Sequence, residues 1–268
     1  MTDDRRERFH RLHDDGTFVL PNPWDVGSAR LLAWLGFPAL ATTSSGHAAT
    51  LGRRDQQVRR DELLAHAAVL ADAVELPVSV DAERGFPDEP GGVAETVRLI
   101  ASTGAAGCSI EDYDPVTGRI APLDDAVGAV EVAARAARAH GLVLTARAEN
   151  HLYGIDDLDD TVARLQAYRH AGAHVLYAPG LVSLDDIARV VRDVAAPVNV
   201  LARPDGPPVA ELAAVGVRRV STGGALHRAA YGTFVAVARE LLVSGTSTRA
   251  AGAISADDLA AAFAARPS

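Results

Sequence analysis

The sequence predicts an α/β fold, a (β/α)8 TIM-type barrel, on three observations. Eight short runs rich in β-branched and apolar residues recur along the chain, and a helical pattern follows each of them. The length of 268 residues is typical of such a barrel. Glycines recur where successive helical patterns end, at Gly104, Gly172 and Gly216, as helix C-terminal residues do.

The predicted elements alternate regularly after a polar helical segment at the amino terminus. The strands are expected at 18–22, 39–43, within 78–86, and at 107–112, 142–149, 174–178, 197–201 and 218–223. The helices are expected at 25–35, through Leu64 and Leu70, and at 91–103, 123–140, 158–170, 187–194, 209–214 and 225–243. A Ser- and Gly-rich loop is expected from Ser44 to about Arg54, after the second strand. An open doubly wound sheet fits less well, because it usually has fewer strands and a G-x-G-x-x-G turn, which this chain lacks.

Two parts are predicted along the chain. Residues 1–245 form the barrel domain, and residues 246–268 form a helical tail. The apolar face of the tail helix, with Leu259, Ala262 and Phe263, has no strand to cover. We therefore expect this helix to pack at a subunit interface.

Composition excludes several classes of protein. The formal net charge of -9 comes without a basic stripe, so nucleic acid is not expected as a partner. The single cysteine, Cys108, rules out an internal disulfide framework and fits a reducing compartment. No window is apolar over the length of a membrane span, and the amino terminus lacks the apolar core of a signal peptide. These observations predict a cytoplasmic protein that does not bind a membrane.

Acidic residues accumulate where catalytic residues of such barrels lie, at the carboxyl ends of strands. Asp81 and Glu83 are two residues apart and would project together, Glu111 and Asp112 end the next strand, and Arg147 ends the one after. Carboxylate oxygens suit Mg2+, and a guanidinium can bind a carboxylate or phosphonate through two hydrogen bonds. The pattern predicts a site for a cation and an anionic substrate; the alternative is a set of ion pairs closing the rim.

Candidates for proton transfer are fewer. His47 is the best placed histidine, and His151 is second, although either could be an ordinary surface residue. Tyr177, at the end of the sixth strand, could orient or protonate an intermediate, or fill the barrel mouth. Cys108 lies three residues before Glu111, so it should face the helices and serve as a small packed side chain.

Four short segments, in this order, resemble the isocitrate lyase and phosphoenolpyruvate mutase superfamily, and most closely its phosphoenolpyruvate mutase-like branch. The resemblance runs from Val19 to about Leu242. The segments are Leu51-Gly-Arg-Arg-Asp55 after Thr43-Ser-Ser-Gly46, Asp81-Ala-Glu-Arg-Gly-Phe86, Cys108-Ser-Ile-Glu-Asp112 and Thr145-Ala-Arg147.

The resemblance implies a barrel whose last helix is exchanged between subunits, in a homodimer or homotetramer. It implies Mg2+, with Mn2+ as an alternative ion, held partly through water by Asp81, Glu83 and Glu111. It implies an enolate of a 2-oxo acid as the shared intermediate, with positive charge near the developing oxyanion. It further implies substrate contacts from Asp55 on a mobile loop, Arg147 at one anionic end, and the donors Thr43, Ser44, Ser45 and Gly46; Tyr177 and Asn199 are added from their strand ends.

Two departures narrow the reaction. Lyases of the superfamily that cleave isocitrate or methylisocitrate carry a Lys/Arg-Cys-Gly-His loop after strand four, where this chain has Tyr113-Asp-Pro-Val-Thr-Gly-Arg119. They also tend to have a glutamate where this chain has Tyr177-Ala-Pro-Gly180. These two substrates are therefore not expected. Thr117 is the candidate for the polar residue that mutases and related hydrolases use in the strand-four loop.

The sequence thus predicts a Mg2+-dependent lyase that breaks or forms a C–C bond in a small 2-oxo or 2-hydroxy acid. The alternatives are a phosphonopyruvate-type C–P mutase or hydrolase, an oxaloacetate decarboxylase or hydrolase, and a transferase of the ketopantoate-forming kind. A barrel retained only for binding or assembly is the non-enzymatic alternative.

Overall fold

A computed structural model describes residues 2–264, apart from the Asp3 side chain, and confirms the barrel. Eight parallel strands lie in the order β1-β10-β9-β8-β7-β4-β3-β2, and β5 and β6 form a separate antiparallel hairpin. The strands are β1 Phe18–Leu20, β2 Leu40–Ala41, β3 Val78–Asp81, β4 Gly107–Glu111, β5 Tyr113–Asp114, β6 Arg119–Ile120, β7 Val143–Arg147, β8 Val175–Tyr177, β9 Val198–Leu201 and β10 Arg219–Ser221.

Helices follow the barrel strands, as predicted, and a further helix lies at each end of the described chain. They are α1 Thr2–Arg11, α2 Val26–Trp34, α3 Ser44–Thr50, α4 Arg60–Ala73, α5 Gly92–Ser102, α6 Leu123–Ala139, α7 Leu158–His170, α8 Leu184–Val194, α9 Val209–Ala214, α10 Ala225–Ser244 and α11 Ala256–Ala264. Within residues 2–264 no helix is both long and apolar enough to cross a membrane.

Helix α3 replaces the loop expected from the Ser- and Gly-rich composition after β2. Thr43 takes an extended conformation and its Oγ1 accepts a hydrogen bond from the Gly46 amide at 3.3 Å, which caps the helix. A hydroxyl residue ahead of small residues is a helix N-terminal signal as well as a turn signal. The hydrogen bond to Thr43 selects the helix over the turn, and the first residues of α3 lie at the cavity.

The amino-terminal end of the barrel is closed. Phe9 of α1 is completely buried below the strands, and His13 packs edge-on against it with ring centroids 5.0 Å apart. A Cβ atom at Gly107 would lie 2.8 Å from the Phe9 ring, so glycine permits this approach. Between β1 and β2, the Ala41 amide donates to the Pro21 carbonyl at 3.1 Å and nearly completes the cylinder. The central cavity therefore opens toward the carboxyl ends of the strands.

The carboxy-terminal helices differ from the others. Among the residues of α10, only His227 is buried, and Phe234 and Leu242 are 71% and 86% exposed. Helix α11 packs on α2 of the same chain and buries Ala262. The Phe263 ring approaches Gly27 so closely that a Cβ atom added there would lie 3.9 Å from it. Part of the apolar tail face is thus covered within the chain, and exchange of a helix between subunits stays a prediction.

Candidate active site

A cavity of about 360 Å3 lies inside the barrel and opens at the carboxyl ends of the strands. Its wall combines charged, hydroxyl and amide side chains from most of the strands. It brings together many of the residues predicted from the sequence: Thr43, Ser44, Ser45, Asp55, Asp81, Arg147, Tyr177 and Asn199.

Arg147, at the end of β7, is the centre of the charged cluster. Its Nη1 lies 2.9 Å from Asp81 Oδ1, its Nη2 lies 3.2 Å from Glu111 Oε2, and its Nε donates to Glu149 Oε1 at 2.7 Å. The side chain is only 14% exposed. All three guanidinium nitrogens are therefore engaged by protein carboxylates, where the sequence predicted that Arg147 would bind the substrate.

Two further acids, Glu83 and Asp55, bring the carboxyl groups around the single guanidinium to five. Glu83 is 6% exposed, and its burial together with the charges of Asp81 and Asp55 raises the pKa of Glu83 to about 8. Burial and the charge of Asp81 also raise the pKa of Asp55. Burial raises the pKa of Glu111 well above its usual value, and nearby acids add to this although Arg147 opposes it. An added cation would relieve this repulsion.

The donor set fits a hard divalent cation. Among the described residues, no group of three acidic, histidine or cysteine side chains is close enough to bind one ion directly. Mg2+ usually keeps several waters, so close packing of three carboxylates is not required. Buried oxygens of Glu83 (Oε1) and Glu149 (Oε2) have no hydrogen-bond partner among the described residues. Such unpartnered oxygens are the groups that bound water or a cation would satisfy.

The segment between α3 and α4 covers one side of the cluster. Gln56 adopts a positive φ of 64° and its Nε2 donates to Glu111 Oε1 at 2.7 Å. Asp55, next to it, lines the cavity as predicted. The Ser44 amide, at the start of α3, donates to Asp81 Oδ2 at 3.0 Å, so it positions an acid of the cluster. Sequence reasoning missed Gln56, because its proximity to Glu111 depends on the path of this segment.

Asp112 is not part of the cluster, and the prediction that four carboxylates meet at the rim was wrong for this residue. Successive residues of an extended strand point to opposite sides, so Glu111 faces the cavity while Asp112 faces the helices. There it accepts hydrogen bonds from Tyr168 at 2.6 Å, Arg164 at 3.2 Å and the Glu149 amide at 2.9 Å. Asp112 therefore supports the position of Glu149 from behind.

Five of the predicted residues do not line the cavity: Glu83 and Glu111, which belong to the charged cluster, and His47, Thr117 and Gly46. The His47 ring stacks on His66 with centroids 3.8 Å apart and planes at 7°. Thr117 lies in the exposed β5–β6 turn, where its hydroxyl donates to Asp114 at 2.8 Å. Gly46 is buried within α3 and donates its amide to Thr43. In this conformation His47, Thr117 and Gly46 therefore do not face the cavity.

Asn22 was missed, although it lies two residues after β1 and the rule about strand ends could have found it. Its Oδ1 accepts hydrogen bonds from the amides of Thr222 and Gly223 at 2.9 and 2.8 Å. Its Nδ2 donates to the Thr42 carbonyl at 2.8 Å. Asn22 thus joins three strand ends around the cavity.

Cys108 is fully buried among the helix-facing core residues, as predicted, and burial raises its thiol pKa to about 12.

Comparison with known proteins identifies relatives of the whole barrel. The chain is 51% identical to a candidate lyase or mutase from Burkholderia cenocepacia J2315, whose crystal structure superposes with a TM-score of 0.94 over 98% of each chain. It is 36% identical to an uncharacterised protein of Mycobacterium tuberculosis, covering 82% of this chain and 83% of that one. An oxaloacetate decarboxylase of Bradyrhizobium is 29% identical over 72% of this chain and 69% of its own length.

The family model described as phosphoenolpyruvate phosphomutase matches residues 9–242, which include every barrel strand and the acidic cluster. The relatives support a lyase-type reaction for the superfamily. The chain therefore belongs to the phosphoenolpyruvate phosphomutase family, within the isocitrate lyase and phosphoenolpyruvate mutase superfamily.

Proposed function

We propose that the protein is a Mg2+-dependent lyase that breaks or forms a C–C bond next to the 2-oxo or 2-hydroxy carboxylate group of a small acid. The observation that carries the proposal is the cluster of five acids, Asp55, Asp81, Glu83, Glu111 and Glu149, around the single guanidinium of Arg147. Two of these acids, Asp55 and Asp81, line a cavity large enough for a small acid. The similarity to an oxaloacetate decarboxylase supports a 2-oxo diacid as substrate.

Asp81, Glu83 and Glu111 would hold the ion, and Arg147 keeps two of these carboxylates in place through its ion pairs. When bound, Mg2+ supplies positive charge near the substrate oxygen on which negative charge develops as the C–C bond breaks. Burial of these side chains at the carboxyl ends of the strands strengthens each electrostatic interaction. Removing one acid should therefore affect ion binding and turnover together.

The remaining groups of the cavity bind and orient the substrate. Thr43 Oγ1 and Ser45 Oγ lie 3.1 Å apart and present hydroxyl groups to the cavity. Burial raises the pKa of Tyr177 to about 12, so its phenol stays protonated at neutral pH. With oxaloacetate, one carboxylate would leave as CO2 and the bonding electron pair would stay on the other fragment as the enolate of pyruvate, which takes up a proton at carbon. Tyr177 is the neutral hydroxyl proposed to orient this enolate, and a proton that it gives to carbon is replaced from solvent. Asp55 approaches from the segment before α4.

The test is turnover with Mg2+ and a panel of acids: oxaloacetate, further 2-oxo and 2-hydroxy diacids, and phosphonopyruvate. Proton NMR follows pyruvate release, with enzyme-free Mg2+ samples to subtract the spontaneous decay of oxaloacetate. We expect Mg2+-dependent release from at least one diacid, and its abolition by EDTA. Absence of turnover with every compound, together with absence of any Mg2+-dependent thermal shift, would contradict the proposal.

A second candidate is rearrangement or hydrolysis of a C–P bond, because the matching family model is described by a phosphomutase reaction. Phosphonopyruvate separates this candidate from the lyase. Phosphorus NMR would show a phosphate ester for a mutase and inorganic phosphate for a hydrolase, whereas an unchanged phosphonate signal with active diacid cleavage selects the lyase.

A further inference from the structure

A second arginine lies deeper in the barrel than Arg147. Arg219 of β10 is 3% exposed, and its hydrogen-bond partners are neutral. Its Nε donates to Asn199 Oδ1 at 2.9 Å and its Nη2 donates to Thr145 Oγ1 at 2.8 Å. Its Nη1 lies 3.3 Å from His13 Nε2. Among residues 2–264, no carboxylate forms an ion pair with this guanidinium, in contrast to the three that surround Arg147.

The partner ring is itself neutral. His13 Nδ1 lies 2.8 Å from the Phe9 carbonyl, which makes it the protonated nitrogen and leaves Nε2 as the acceptor for Arg219. Burial and the positive charge of Arg219 lower the pKa of His13 to about 3. Burial also lowers the pKa of Arg219 to about 9, as expected for a cation enclosed without a counter-charge.

The guanidinium has capacity for another ligand. It carries five N–H groups, and three contacts account for only part of them. Arg219 lines the same cavity as the acidic cluster, together with the hydroxyl side chains of Ser79, Ser109 and Ser221. A buried charge without a counter-charge is strongly unfavourable, and a negatively charged group among hydroxyl donors would compensate it.

We propose that the lower part of the cavity is a carboxylate-binding site in which Arg219 is the counter-charge and the surrounding hydroxyl groups donate to the carboxylate oxygens. The carboxylate comes either from a free small acid or from the far end of a diacid whose other end reaches the acidic cluster. The second source rests on the proposed function, and the first does not. The site differs from the rim, where Arg147 is already neutralised by Asp81, Glu111 and Glu149.

The experiment measures melting temperature in EDTA, without Mg2+, so that its outcome is independent of the proposed reaction. The probes are formate and the diacids oxalate, malonate and succinate, applied to the wild-type protein, Arg219→Gln and Arg218→Gln. Arg218 is the matched control, because it is the adjacent arginine but lies at the surface and donates to the Gly16 carbonyl. Ligand that binds only the folded state raises the melting temperature.

We expect at least one probe to raise the wild-type melting temperature by about 3 °C or more at saturation. Arg219→Gln should lose this rise and Arg218→Gln should keep it. A rise with formate identifies a free small carboxylate as sufficient, whereas a rise with diacids alone identifies the far carboxylate of a longer acid. Equal shifts in the wild type and Arg219→Gln, or no shift with any probe, would overturn the proposal.

If Arg219→Gln does not fold, wild-type crystals decide. Bromide is a small anion with an anomalous signal, and a soak should place a peak within hydrogen-bond distance of the Arg219 nitrogens. Absence of an anomalous bromide peak near Arg219 in the barrel cavity would then rule out the carboxylate-binding site.

Discussion

Gln56 donates a 2.7 Å hydrogen bond from its side-chain amide to Glu111, across 55 positions of sequence. This contact holds the segment between α3 and α4 against the acidic cluster, and the positive φ of Gln56 brings its side chain there. The segment also carries Asp55, so its position determines whether that carboxyl group reaches the cavity.

Replacing Gln56 with glycine should loosen this segment without straining the backbone, because glycine adopts a positive φ readily. The loss of a hydrogen bond to a carboxylate is worth about 1.5–3 kcal/mol locally. Trypsin should then cut after the exposed Arg53 and Arg54 several times faster than in the wild type. Gln166→Ala, on the outside of the barrel, should leave the cleavage rate unchanged.

Glu83→Gln should weaken Mg2+ binding roughly tenfold or more, as for loss of other groups that orient bound metal. Mg2+ titrations followed by thermal shift measure this.

Without Mg2+, the same substitution should stabilise the folded protein at alkaline pH. The folded-state pKa of Glu83, about 8, lies above the unfolded value, so stability falls as pH rises from about 4.5 toward 8. At pH 8 the uncharged glutamine should therefore raise the melting temperature of the Mg2+-free protein. The exposed control Asp124→Asn should change neither Mg2+ binding nor the melting temperature.

Asp112→Asn should lower the stability of the folded protein without removing a residue of the ion site. The substitution leaves the Arg164 guanidinium, whose side chain is 10% exposed, paired with Asp160 but without its buried carboxylate partner. Loss of a hydrogen bond between charged groups costs about 1.5–3 kcal/mol. Tyr168→Phe removes one hydrogen bond to the same carboxylate and should cost about 1 kcal/mol. Urea denaturation at pH 7 measures both, and equal stability of the two variants would contradict a structural role for Asp112.

The lowered pKa of His13 should contribute to the pH dependence of stability. Its folded-state pKa of about 3 lies below the unfolded value of 6.5, so protonation favours the unfolded chain. The stability from keeping this ring neutral is present above pH 6.5 and is lost as pH falls toward 3. Between pH 6.5 and 5 the loss is about 2 kcal/mol. His13→Gln should show a correspondingly shallower decline in urea denaturation, and identical pH profiles would show that the ring is protonated in the folded state.

The exposed apolar side chains of α10 should lie at a subunit interface. We expect the protein to elute as a homodimer or homotetramer, and the double variant Phe234→Asp with Leu242→Asp to elute as a monomer. Light scattering after size exclusion measures the mass. Val116→Asp is the control, because Val116 is 81% exposed in the β5–β6 turn. A wild-type protein that is monomeric at all concentrations would contradict a subunit interface on α10.

Much of the barrel follows from local pattern. The runs around Val78 and Val143 are apolar and β-branched, and each precedes a helical pattern, so strand and helix positions were predicted to within a few residues. The acids of β3 and β4 and Arg147 of β7 were placed at one rim, because parallel strands end together. The prediction failed for Asp112, where the alternation along β4 applies, and for the loop that became α3.

The sequence by itself determined the order of strands and helices and the residues that end each strand, since periodicity and capping act between near neighbours. Only the tertiary structure decided which charges meet. Arg147 is surrounded by Asp81, Glu111 and Glu149, whereas Arg219 has neutral partners, and nothing local to either arginine distinguishes them. The physical reason is that charge pairing depends on strand register and on the side chains that distant strands direct into one lumen.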